Sequence, residues 1–266
     1  VIENPVILYH QSEGTGEPLL LLNGIAMSAV SWDVVARPLA KDFRVVRCDF
    51  RGQLMTPVRP PEGIGEHADD VAGLLDHLGI DSLHLIGTSF GGVVGMLVAA
   101  RYPERVRSLT TIASADGFDE GMADEVARWR AACVASLEGS DRGHLSDILE
   151  PVVYSPKWVA AHKAERTQRR EQIAALPDNW FEGLVGLLDS AHSLRLGDEM
   201  QKVRCPTLVI AAELDGFVPL ERARGLAETI DGAQFEVIEG AGHAVVVEQP
   251  KRIVELCLTF LESLER

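Results

Sequence analysis

Short apolar runs recur along the chain at Val6–Tyr9, Leu19–Leu22, Phe43–Cys48, Leu83–Ile86, Val106–Ile112, Thr207–Ala211 and Phe235–Ile238. The later ones are mostly followed by longer segments of helical character. Several are continuously apolar rather than alternating, the pattern of strands covered on both faces of a parallel sheet. The alternation predicts an α/β protein built on a mostly parallel, doubly wound sheet. The first two runs, with Gly14 and Gly16 between them, read as a hairpin-like pair and predict an antiparallel edge.

One stretch breaks the rhythm. From about Gly117 to Met200 no strand pattern emerges, only amphipathic stretches such as Asp124–Leu137 and Trp158–Ala175. Turn signals at Gly139, Pro151, Pro156 and Pro177 separate them. Roughly eighty residues exceed an ordinary crossover. The expected organisation is therefore a core of residues 1–116 and 200–266 with a helical lid inserted over 117–199. The competing reading is that this segment simply extends the covering helix layer.

Gly87-Thr88-Ser89-Phe90-Gly91-Gly92 follows the run Leu83–Ile86 and precedes the small-residue segment Val93–Tyr102. This is G-x-S-x-G in a strand–turn–helix setting. A serine nucleophile on so sharp a turn needs small neighbours, and Gly87 and Gly91 have no Cβ to collide. The turn also sets Ser89 at a helix N-terminus, where backbone N–H groups favour negative charge. A plain Gly-rich turn or a serine N-cap is the bland alternative.

A neutral serine needs a base within hydrogen-bond reach. Of the eight histidines, His243 lies in Glu239-Gly240-Ala241-Gly242-His243-Ala244, just after the run Phe235–Ile238. Loops at the carboxyl ends of strands are where open α/β sheets hold their chemistry. His10, His67, His77, His84, His144, His162 and His192 read as packed or solvated side chains. Asp215, at the end of the Thr207 run, is the expected partner that orients the imidazole. Glu213 and Asp116 are its competitors. The remaining requirement is a pair of donors for the developing alkoxide. The N–H groups of Phe90 and of Ile25, in Asn23-Gly24-Ile25-Ala26, are the candidates.

Together these segments resemble the α/β-hydrolase superfamily over nearly the whole chain. That resemblance implies the α/β-hydrolase fold, with a helical lid between the sixth and seventh core strands. Within it the chain is most similar to 3-oxoadipate enol-lactonases, through Asn23, the spacing of Trp32-Asp33 and the segment Phe43–Gly52. Tyr102-Pro103-Glu104-Arg105-Val106 is similar too, but is common across the superfamily. One departure stands out. Relatives usually continue from Asp-x-Arg-Gly into His-Gly, where this chain has Gln53-Leu54-Met55-Thr56.

Composition narrows the rest. Hydrophobic residues are 46% of the 266 and charged residues 24%, enough for a large core without a metal or disulfide staple. A net charge of −15 argues against nucleic acid as a partner. Cys48, Cys133, Cys205 and Cys257 are far apart and read as reduced, structural residues. No apolar stretch suits a membrane span, and no leader pattern is evident, so a cytoplasmic location is the default expectation.

The expected activity is hydrolysis of a small ester or lactone, with no cofactor and no metal. Carbon–carbon bond hydrolysis of diketo acids, cofactor-free perhydrolysis and a triad-bearing ligand sensor are the alternatives. Candidate pocket residues are Asn23, Trp129, Arg130 and Trp158, with Arg128, Trp180 and Phe181 as further candidates. Arg128 and Arg130, which flank Trp129, are candidates to hold a substrate carboxylate, with simple solvation as the bland alternative.

Overall fold

The computed structural model describes residues 6–192 and 194–264. Seven strands, β1 (His10–Glu13), β2 (Glu17–Leu22), β3 (Phe43–Cys48), β4 (Leu83–Thr88), β5 (Val106–Ile112), β6 (Thr207–Ala212) and β7 (Gln234–Ile238), form one sheet in the order β1-β3-β2-β4-β5-β6-β7. Strands β2 to β7 pair in parallel, and β1 runs antiparallel at the edge.

The antiparallel edge is present, but the expected hairpin is not. Val6–Tyr9 precedes the first strand, and β1 pairs with Val45–Cys48 of β3 rather than with β2. The link explains this. Gly14 (φ +77°) and Gly16 (φ +114°) carry the chain over the turn ahead of β3, and a Cβ at either would fall 2.3–2.5 Å from the carbonyl oxygens of Phe43, Ala40 or Asp42. The crossing delivers β2 to the far side of β3.

The helices are α1 (Asp33–Leu39), α2 (Ile64–His77), α3 (Phe90–Arg101), α4 (Glu120–Leu137), α5 (His144–Val153), α6 (Pro156–Ala161), α7 (Lys163–Ala174), α8 (Asp178–Ala191), α9 (Leu220–Thr229), α10 (Val245–Glu248) and α11 (Pro250–Leu264). Both faces of the sheet are covered, as the continuously apolar runs require. Leu20 and Leu22 of β2 pack with α2 and α3, whereas Leu19 and Leu21 pack with α1 and α11. Successive strand residues point to opposite faces, so this one strand feeds both cores.

Helices α4–α8 are inserted between β5 and β6. The insertion follows the fifth strand rather than the sixth, because the described sheet holds no further strand ahead of β5. Pro151 lies inside α5 instead of marking a turn, and the stretch Trp158–Ala175 breaks at His162 into α6 and α7. A third apolar cluster joins Trp129, Phe181 and Leu184 of the insertion to Phe217 and Val218 beyond β6. Helix α8 also touches the core through Gly183, where a Cβ would lie 2.0 Å from the Gly52 carbonyl oxygen.

The described cysteines are all free, and Cys48, Cys133 and Cys257 are buried. Among the described residues no helix is long and apolar enough to cross a membrane.

Behind the turn at Ser89, His67 of α2 is buried with its ring edge-on to Phe50 and Phe90. Its Nδ1 has no hydrogen-bond partner among the described residues. Burial, with a smaller push from the Arg51 charge, takes its pKa down to about 3. The imidazole is therefore neutral in the fold but takes up a proton near pH 6.5 when unfolded. Stability from this group is full above pH 6.5 and is withdrawn as the pH falls towards 3, at up to about 1.4 kcal/mol per pH unit. Urea unfolding at pH 7 and pH 5 should show a larger loss for the wild type than for His67→Gln. Equal losses would mean that His67 is not a buried neutral imidazole.

Candidate active site

Ser89 sits between β4 and α3 with φ +51° and ψ −119°, a conformation that costs a non-glycine residue of order 1–3 kcal/mol. Its surroundings enforce it. Ser89 N donates to the Ile112 carbonyl at 2.8 Å, and Ser114 Oγ donates to the Ser89 carbonyl at 3.0 Å. The glycines make room: a Cβ at Gly87 would fall 2.3 Å from the Gly91 oxygen, and one at Gly92 2.1 Å from Ser114 Oγ.

His243 Nε2 lies 2.9 Å from Ser89 Oγ. His243 Nδ1 lies 2.9 and 3.1 Å from the two carboxylate oxygens of Asp215. The Asp215 side chain is 2% exposed, and its Oδ1 also accepts from the N–H groups of Phe217 and Val218, both at 2.8 Å. An acceptor so placed keeps the imidazole proton on Nδ1 and leaves the Nε2 lone pair for the serine hydroxyl. The competing acids are engaged elsewhere. Asp116 pairs with Arg222 at 3.3 Å, and Glu213 accepts from Gly240 N at 2.7 Å.

The N–H groups of Ile25 and Phe90 have no acceptor among the described residues, and both residues border the cavity at Ser89. Phe90 opens α3, where the first-turn amides lack helical partners. The direction of the Ile25 amide is set from behind. Gln53 Nε2 donates to the Gly24 carbonyl at 2.9 Å and reaches the Ile25 carbonyl at 3.3 Å. The Gly24 carbonyl and the Ile25 N–H share one trans peptide and point in opposite directions, so fixing the oxygen aims the N–H.

Gln53 is itself held. Its Oε1 accepts from Phe50 N and from Asn23 Nδ2, both at 2.9 Å. Trp32 Nε1 donates to Asn23 Oδ1 at 2.9 Å, and Asp49 accepts from Ala29 N and Met55 N at 2.6 and 2.9 Å. Burial raises the Asp49 pKa against these hydrogen bonds, which lower it. The unusual run Gln53–Thr56 thus closes a buried polar network. Of its members, Leu54 lines the cavity.

That cavity, about 620 Å³, lies between Ser89 and the inserted helices and is mostly apolar. Trp129, Trp158 and Trp180 line it, whereas Phe181 packs in the core beneath. Trp129 lies 4.7 Å from the Phe217 ring, which stands edge-on to His243 at 5.3 Å. Asn23 and Arg130 are not part of its wall. Asn23 is fully buried in the network just described. Arg130 faces outward and binds Asp189 bidentately at 2.5 and 3.1 Å, because α4 turns that side away from the cavity. Arg128 likewise pairs with Glu125 at 2.6 Å.

A latch ties the insertion to the histidine loop. Glu248 Oε1 accepts from Ser155 N at 2.7 Å and Gly242 N at 3.2 Å, and Ser155 Oγ donates to Glu248 Oε2 at 2.6 Å. Ala244 N donates to the Val153 carbonyl at 2.7 Å. No sequence signal marks Glu248 beyond its place between His243 and the last helix. Among the described residues no cluster of His, Cys, Asp and Glu is suited to a metal ion.

The sequence matches the alpha/beta hydrolase fold over residues 17–250. The chain belongs to the alpha/beta hydrolase fold family. Among curated members, a protein assigned as a carbamate hydrolase, RutD, from Azorhizobium caulinodans is 30% identical over 97% of this chain and 96% of its own length. Among solved structures of hydrolases, a thermophilic esterase from Thermogutta terrifontis, crystallised with malate, is 27% identical with a TM-score of 0.85, covering 97% of this chain and 94% of its own. The enol-lactonase from Burkholderia xenovorans LB400 shares the fold at a TM-score of 0.83 and 22% identity, over 96% of both chains.

Replacing Gln53 by Glu keeps its shape but removes the donor that holds the Gly24 carbonyl. For this hydrolase we expect kcat on a simple ester to fall about 10- to 100-fold, within the range for loss of an oxyanion donor, with a smaller change in KM. A folded variant with unaltered kcat would dissociate Gln53 from the Ile25 amide.

Proposed function

We propose that the protein is a serine hydrolase that cleaves a small ester or lactone through an acyl-enzyme on Ser89. The observation that carries this reading is the unbroken hydrogen-bond chain Asp215–His243–Ser89, which ends at an apolar cavity bordered by two amides without an acceptor among the described residues. Helices α4–α8 serve as the lid of that cavity.

In acylation Ser89 Oγ attacks the carbonyl carbon while His243 Nε2 takes its proton. The oxyanion accepts hydrogen bonds from the Ile25 and Phe90 N–H groups, and Asp215 stabilises the imidazolium. His243 then returns the proton to the departing oxygen. Water, activated by the same imidazole, releases the acid. In a lactone the departing oxygen remains tethered, and the product is a single hydroxy or keto acid. Each step has a named group, and none calls for a cofactor. Hydrolysis of a carbon–carbon bond further needs a proton delivered to carbon, a step that ester cleavage does not require.

The relatives support bond cleavage at an acyl carbon. The Thermogutta protein is an esterase, and the RutD relative is assigned as a carbamate hydrolase.

Ser89→Ala is expected to lower kcat by about 10⁴-fold or more in a folded protein. Asp215→Asn should lower it by about 10³- to 10⁴-fold, whereas Asp116→Asn should stay within a few-fold of wild type. If Asp116→Asn is the crippled variant, the acid has been misassigned. The reaction class is read from kcat/KM over short esters, lactones, a carbamate and a vinylogous diketo acid. A diketo acid turned over orders of magnitude faster than all the others would overturn the ester or lactone reading.

A further inference from the structure

The lid carries many arginines, and almost all of those on its helices and loops are neutralised locally. Arg128 meets Glu125, Arg130 meets Asp189, Arg142 meets Asp178, and Arg170 meets Asp141 and Asp147. Arg166, on the cavity wall, is clamped by both carboxylate oxygens of Glu150. Of the two arginines that line the cavity, Arg169, one turn along α7, is the one left without such a partner. It has no carboxylate partner and no hydrogen bond to any described residue.

Its position is nevertheless fixed. The guanidinium lies 4.8 Å from the centre of the Tyr154 ring and 5.6 Å from that of Trp158. Those rings stack on one another at 4.1 Å, and Trp158 stacks in turn on His162 at 4.3 Å. The Tyr154 end of this stack adjoins the Glu248 latch through Ser155. Arg169, Tyr154 and Trp158 all line the cavity that contains Ser89. Burial disfavours the charged guanidinium, with the Glu150 charge opposing that effect.

The charge balance of the cavity follows. Glu150 and Arg166 cancel, so Arg169 leaves the lid side of the wall with one uncompensated positive charge, in a protein of net charge −15. A half-buried cation without a partner is costly unless something supplies hydrogen bonds and negative charge. The aromatic faces hold the guanidinium but leave its in-plane N–H donors unused. That fork matches a carboxylate bidentately.

We propose that Arg169 is a specificity residue that binds a carboxylate on the substrate, so that the preferred ester or lactone carries a free acid group at the end remote from the bond cleaved. This rests on the proposed hydrolase reading and names its substrate class. It also replaces Arg128 and Arg130 as the candidates for that role from sequence, since both are turned away from the cavity and paired.

The test compares mono-p-nitrophenyl succinate, glutarate and adipate with neutral p-nitrophenyl esters of matched acyl length. The readout is the ratio of kcat/KM for each acidic ester to that of its neutral partner. Arg169→Gln should lower this ratio at least tenfold for the best-fitting length, mainly through KM, and Arg169→Lys should recover part of it. A ratio unchanged within twofold for all three lengths overturns the proposal. A binding arm does not depend on turnover: glutarate is titrated calorimetrically into Ser89→Ala and into Ser89→Ala/Arg169→Gln. Binding weakened at least tenfold in the double variant supports the subsite, and equal or absent binding in both proteins contradicts it. Failure of the hydrolase reading looks different, as an absence of Ser89-dependent turnover of every ester, and the calorimetric comparison then decides the subsite alone.

Discussion

The first turn of α3 lies so close to the end of β2 that a methyl group at position 91 would fall 2.2 Å from the Leu22 carbonyl oxygen and 2.6 Å from that of Asn23. No side chain can be accommodated there, and everything about the site depends on that approach. It sets the loop after β2 against the Ser89 turn, so that the amides of Ile25 and Phe90 border one space. Beside it Ser89 takes a positive φ at the start of α3. The strain is repaid by hydrogen bonds to Ile112 and Ser114 and by a well-packed β4–α3 unit.

A second constraint acts from beneath the loop. Asn23, Asp49, Gln53 and Trp32 form a buried network whose outputs are backbone positions rather than contacts with substrate. Low dielectric makes such a network costly when any member is unpaired, so its parts are interdependent. The departure at Gln53 therefore belongs to the support of the loop after β2. Its exposed neighbours Leu54 and Met55 lie at the surface, and only Leu54 reaches the cavity.

The elements legible in the sequence are those in which a local pattern and a tertiary role coincide. Gly87-Thr88-Ser89-Phe90-Gly91 announces both a sharp turn and its chemistry, and the continuous apolar runs announce two covered faces. The glycine-flanked His243 and the strand-end Asp215 could be placed by the same logic. Features created only by the packing of distant segments were not legible. Gly14 and Gly16 look like a hairpin until the carbonyls ahead of β3 are seen beside them. Arg130 and Arg169 are alike as letters, and only the orientation of α4 and α7 assigns one to Asp189 and the other to the cavity. Gln53 and Glu248 act on backbone atoms 29 and 93 residues away, a relation with no local signature.

The latch at Glu248 bears on how this fold diversifies. Lids are commonly pictured as interchangeable modules that one scaffold exchanges for another. Here a single carboxylate is shared between the junction of α5 and α6 and the residue preceding His243. A foreign lid lacking a counterpart of Ser155 would deprive that carboxylate of two of its three donors and loosen the loop that carries the imidazole. The inserted helices are thus mortised into the scaffold at the histidine. Packing constrains the outward positions of α7 least, apart from Arg166 and Arg169 on the cavity side, and the joint beside Tyr154 most.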